Sequence, residues 1–181
     1  MVDRETGSDE ARAREGSAGT AAGTQGAASE SRERAQARFR ELLGKAEAGD
    51  PQAMHLVGIA YARGKGVGQD DGRAVDWFKR AAARGHTKAQ VSLGYCYATG
   101  KGVPRDLARA YILLREAADA GDREGFELAE RVAQRMHVQQ LRQCDEVIRR
   151  RRILRKVRQK EREVKATGTG EPTLELDVPP D

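Results

Sequence analysis

Aromatic residues are scarce, at 4% of 181 residues, and only one of them is a tryptophan. Hydrophobic residues make up 38%, a modest supply for a packed core in a chain of one-domain length. No stretch approaches the roughly 18 consecutive apolar residues needed to span a bilayer. The first thirty residues lack the apolar run of a secretory signal, so the expectation is a soluble, cytoplasmic chain. Three histidines, His55, His86 and His137, are spread without ligand spacing, which argues against a metal site. Two cysteines in such a chain argue against a structural disulfide. No Ser/His/Asp set or pair of carboxylates stands out, so the reading is not an enzyme and needs no cofactor.

What the chain does have is one unit written twice. GIAYARGKGVGQDDGRAVDWFKRAAARGH starts at Gly58 and GYCYATGKGVPRDLARAYILLREAADAGD starts at Gly94. The offset of thirty-six holds for Tyr61/Tyr97, Gly64/Gly100, Gly66/Gly102, Val67/Val103, Asp70/Asp106, Ala74/Ala110, Ala81/Ala117 and Gly85/Gly121. A fixed period of this length signals a solenoid of helical hairpins, each needing a neighbour to bury its apolar face. Ala53, Val57, Gly58 and Tyr61 share one face of a helix, and Ala89, Leu93, Gly94 and Tyr97 repeat it. The small residues predict a close helix approach, Gly64 and Gly100 predict helix ends, and Asp70 and Asp106 predict N-caps. Phe78 and the alanines around it predict the inward face of the second helix, with Trp77 beside them. Val67 and Val103 plug the hairpin end. Cys96 takes the place of core Ala60 and reads as a small buried residue.

The succession of alanine, LG, tyrosine, GxGV, aspartate, an aromatic and AA before glycine resembles the Sel-1-like repeat, a longer-period relative of the tetratricopeptide repeat. The resemblance covers about residues 46 to 136, and the RM at Arg135 and Met136 resembles the closing segment of many bacterial members. It implies an all-α fold, a short αα solenoid of helical hairpins. It also implies scaffolding in regulatory, secretion or assembly complexes. Some secreted members carry a cysteine pair in each repeat, and one such group is linked to penicillin binding; this chain lacks those cysteines. Ser92 and Leu113, the latter in the place of Trp77, depart from the pattern and weaken a helix contact.

The ends differ in composition. Residues 1–30 are rich in Gly, Ala, Ser, Thr, Glu and Arg and carry no aromatic, which predicts disorder. Helix formation is expected near Ser31. Phe39, Leu42, Ala46 and Gly49 lie thirty-six before Val75, Phe78, Ala82 and Gly85, so 31–49 reads as a half-repeat. Gly49, Asp50 and Pro51 then read as C′, N-cap and N1. Repeats follow at about 50–85 and 86–121, and 122–136 reads as a degenerate cap. Residues 137–165 form a basic amphipathic or coiled-coil helix that allows self-association. Leu141, Cys144 and Ile148 form one stripe, and Val147, Leu154, Val157 and Val164 form another. The stripe switch predicts that the first part packs over the solenoid end and the second leaves as an arm in solvent. Between Arg142 and Lys165, eleven basic residues face four acidic ones, a local charge of +7. From 166 to 181 the chain reads as a flexible acidic tail ending in TLELDVPPD.

Two surfaces carry the functional expectation of a non-enzymatic adaptor or scaffold. On the first helices, Gln52, His55, Ile59 and Arg63, repeated as Lys88, Val91, Tyr95 and Thr99, would line a concave face for a protein or peptide. Ile59 and Tyr95 would anchor it, unless the C-terminal helix or TLELDV covers it. On the arm, Arg149, Arg150, Arg151, Arg152, Arg155, Lys156 and Arg158 would meet an acidic protein. A second reading is a nucleic-acid-binding accessory protein, but residues 137–181 offer no aromatic for base stacking. A third, a cell-envelope-related hydrolase, needs a nucleophile beside a base. The repeated GKG lacks the strand and GK[ST] ending of a phosphate loop and reads as a helix-to-helix turn.

Overall fold

The computed structural model describes the backbone of residues 19–167 and the side chains from 30 to 166. The described residues form seven α-helices and no strand: α1 (Gly19–Glu47), α2 (Pro51–Arg63), α3 (Asp71–Ala83), α4 (Thr87–Thr99), α5 (Leu107–Asp119), α6 (Arg123–Ala133) and α7 (Val138–Thr167). Each of the first five packs on its successor, and α7 packs on α5. The result is an all-α solenoid.

The punctuation follows the chemistry of the turns. Asp70 and Asp106 accept from the N–H of Arg73 and Arg109, each at 2.9 Å. This satisfies donors that the first helical turn leaves orphaned. Asp50 does the same for Gln52, with Pro51 as the first helical residue. At α4 the cap is a histidine: Nδ1 of His86 accepts from the Ala89 N–H at 3.2 Å. Gly64 and Gly100 end α2 and α4 in the left-handed conformation.

Two glycines per unit set the packing. A Cβ on Gly58 would lie 2.5 Å from Phe78 Cε1, and one on Gly94 would lie 2.7 Å from Leu114 Cγ. These contacts hold each hairpin closed. The second glycine of GxG does a different job, holding one unit to the previous one. Gly66 lies against the Ala35 carbonyl of α1, and Gly102 against the Asp71 carbonyl at the start of α3. Val57, Val75 and Leu114 are fully buried in the resulting core. Phe39 meets Tyr61 edge-to-face at 5.4 Å, joining the half-repeat to the first full one.

Two expectations need correction. Helix α1 starts at Gly19, ahead of Ser31. Adding residues to an existing helix costs far less than nucleating one, and Ala21, Ala22, Ala27 and Ala28 are good helix formers. The disorder expected for 1–18 and the tail expected for 168–181 lie outside the described residues.

The arm is also tied down further along than the stripe switch implied. Helix α7 runs parallel to α5: Cys144 Sγ faces the Ala108 carbonyl, and the Tyr111 hydroxyl donates to Asp145 at 3.0 Å. Farther on, Arg151 and Arg155 both reach the buried Glu116 carboxylate, at 3.2 and 2.6 Å. Arg152 holds both oxygens of Asp119 at 2.8 Å. These three arginines therefore do not stand free in solvent. The physical reason is Glu116: a buried carboxylate needs a partner. Reversing Arg151 and Arg155 to glutamate is expected to lower stability by about 1–2 kcal/mol, modest because both side chains are half exposed. Reversing the exposed Arg149 and Lys156 should leave it unchanged. Thermal melts of the two variants check this.

Candidate protein-binding groove

One face of the solenoid is built from the first helix of three successive units, α2, α4 and α6. Between them runs a groove of about 680 Å³. Its lining includes His55, Ile59 and Arg63 from α2, Lys88, Val91 and Tyr95 from α4, and Glu124, Leu128 and Arg131 from α6. Six of the eight residues expected for the concave face thus meet in one cavity. The other two do not. Gln52, in the first turn of α2, and Thr99, in the last of α4, are exposed outside it. The Thr99 hydroxyl instead donates back to the Tyr95 carbonyl at 2.8 Å.

Tyr95 is 44% exposed, a large aromatic standing in the groove, whereas Val91 and His55 are buried and Ile59 is half-buried. The Lys101 ammonium sits 5.8 Å from the Tyr95 ring centre. Beyond Ile59 and Arg63, which belong to both, a second cavity of about 180 Å³ continues toward α1 and adds Arg38, Phe39, Leu42 and Lys65. The continuous surface carries six cations, Arg38, Arg63, Lys65, Lys88, Lys101 and Arg131, against two acids, Asp71 and Glu124. Arg73, Arg109, Arg115 and Arg123 on the repeats each have a carboxylate within reach, but none of these six is in an ion pair among the described residues. Helix α7 lies along α5, in the other layer, and does not cover this face. The TLELDV segment lies outside the described residues.

His55, which lines the groove, pairs with His86 behind it, a contact that the spacing of thirty-one residues concealed. The rings of His55 and His86 lie 4.9 Å apart, and Phe78 lies 5.6 Å from His55. Nε2 of His55 is 3.0 Å from the Ser92 hydroxyl, which itself donates to the Lys88 carbonyl. The imidazole therefore carries its proton on Nε2 and donates it. Ser92 bonds across the helix contact that its polarity was expected to weaken. Burial, reinforced by the charges of His86 and Lys88, pushes His55 down to about 4. Burial also pushes the Cys96 thiol up to about 11, the wrong direction for a nucleophile. Among the described residues no group of three or more metal-ligating side chains comes together.

A family model for the Sel1 repeat matches residues 51–86 and 87–122. Residues 51–122 are two Sel1 repeats. The fold is similar to that of solved structures. A protective antigen of uropathogenic Escherichia coli strains, with an SLR fold, superposes with a TM-score of 0.62 at 23% identity, over 80% of this chain and 31% of that one. A Sel1 repeat protein from Oxalobacter formigenes is 42% identical over 50% of this chain and 26% of its own, with a TM-score of 0.49. Cysteine-rich protein B of Helicobacter pylori is 23% identical over 50% of this chain and 68% of its own, with a TM-score of 0.48. The chain therefore spans about a quarter and a third of the first two by length. No curated protein matches it in sequence. In the Sel1 repeats the groove residues recur at the repeat period. Adding thirty-six to Lys88 and Tyr95 gives Glu124 and Arg131, so the period itself held the signal for the third helix. Lys101, inside the GKGV turn, carried no such mark. No helix among the described residues is long and apolar enough to cross a membrane.

Proposed function

We propose that this chain is a non-enzymatic adaptor that holds a protein or peptide partner in the groove across α2, α4 and α6. Sel1-repeat proteins generally mediate protein–protein interactions. The observation that carries the reading is the half-exposed Tyr95 in an apolar groove ringed by unpaired cations. An aromatic anchor with a polar rim is the usual energetic centre of an interface. The test is the double change Ile59→Ala with Tyr95→Ala. Partner affinity is expected to fall at least about tenfold, while the melting temperature falls only modestly because Tyr95 is half exposed and Ile59 only half-buried. Unchanged capture by a folded variant contradicts the reading.

The basic arm supports a second, smaller surface for an acidic protein. Arg149, Lys156 and Arg158 are exposed beside Ile153 and Leu154, 48% and 54% exposed, and Arg150 pairs with Glu146 on its own helix. Binding there should weaken as salt rises. Nucleic-acid binding would do so more steeply.

A further inference from the structure

We propose that the cationic groove receives the TLELDV segment, residues 173–178, of a second copy of this chain; the proposal rests on the groove being a binding site. Three observations converge on it. The first is charge. The groove and its extension expose six unpaired cations against two acids. Residues 168–181 carry Glu171, Glu175, Asp177 and Asp181 and no basic residue. The second is pattern. Leu174, Leu176 and Val178 alternate with Glu175 and Asp177. An extended chain would turn the three apolar side chains to one face and the two acids to the other. The groove offers the matching pair, an apolar floor at Ile59, Val91 and Leu128 and a cationic rim. The third is length. Adjacent helices pack about 8–10 Å apart, so crossing from α2 to α6 takes about 16–20 Å. Six extended residues cover about 20 Å.

Reach decides that a second copy supplies the segment. From Arg152, bridged to Asp119 at the end of α5, helix α7 continues to Thr167, an overshoot of about 22 Å. From Thr167 to Thr173 the chain spans at most about 21 Å. That returns it only to the level of Asp119, one helix layer short of the groove. A neighbour's tail meets no such limit. Such tail-in-groove contacts are heterologous and build head-to-tail chains or rings.

Sedimentation velocity of the full-length protein, at low salt and rising concentration, tests this. The parent should self-associate. Glu175→Lys with Asp177→Lys, or Lys88→Glu with Arg131→Glu, should each weaken association about tenfold or more. The four changes together in one chain should restore it. Association that survives the groove reversal overturns the proposal by placing the tail elsewhere, such as on the basic arm. A parent that stays monomeric at every concentration also overturns it, including when hydrogen exchange shows the tail protected by its own groove. The wider reading is tested separately: if Ile59→Ala with Tyr95→Ala abolishes capture of a different protein, the groove remains a binding site and only the tail assignment falls, whereas capture that persists in the folded variant overturns the groove reading itself.

Discussion

Gly102→Ala is expected to lower stability by about 3 kcal/mol. Gly102 has φ +69°, where a Cβ crowds the following carbonyl. That conformation alone costs a non-glycine residue about 1–2 kcal/mol. The same Cβ would lie 2.2 Å from the Asp71 carbonyl oxygen and 2.4 Å from its carbon. The neighbour cannot simply retreat. Asp70 caps α3 through the Arg73 N–H, and its own N–H donates to the Tyr61 carbonyl at 2.9 Å. Overpacking of this kind adds about 1–3 kcal/mol. Gly68→Ala is the control, since nothing lies within 4 Å of its Cβ position. It should shift stability by no more than about 0.5 kcal/mol. Denaturant melts of the two variants beside the parent measure the difference.

Acid should unfold the repeats through His55. In the unfolded chain its imidazole takes up a proton near its ordinary value of 6.5, whereas in the fold it does so only at about 4. Above pH 6.5 the two states bind protons equally and the group is neutral to stability. As pH falls from 6.5 toward 4, the unfolded state binds the proton first and stability drains away. At about 1.4 kcal/mol per pKa unit the full loss is about 3 kcal/mol. His86 adds to the same trend, because its pKa is also lowered by burial and its protonated Nδ1 could no longer accept from Ala89. Equilibrium unfolding at pH 7 and pH 4.5 should show most of this loss in the parent. In His55→Gln the slope should be much smaller. A parent equally stable at both values contradicts the burial argument.

Most of the hairpin architecture was legible because it rests on local chemistry repeated at a fixed period. Gly58 and Gly94 announce a close approach, and Asp70 and Asp106 announce caps, wherever the neighbours lie. The groove was legible only along the two helices that the repeat made obvious. Arg38, Lys65 and Lys101 join it because α1 and the GKGV turn fold against its edge, a juxtaposition that no spacing within one helix encodes. The histidine pair eluded the sequence for a related reason: His55 faces inward from mid-helix while His86 caps the next helix, so they meet across a unit boundary. The arm was misjudged at Arg151, Arg152 and Arg155 because a basic run on a long helix looks solvated until its partners are known. Glu116 and Asp119 stand about one repeat earlier, where the preceding second helix lies. That acidic pair was the missing cue.

The central claim is that partners enter on the α2, α4 and α6 face. The most direct measurement places a photo-crosslinking amino acid at Tyr95 in the full chain and, separately, at Arg109. Arg109 is exposed on α5, outside the groove, and stacks over Tyr97. Irradiation in the presence of partner proteins should yield adducts from position 95 and none from position 109. Adducts from position 109 alone would contradict the account.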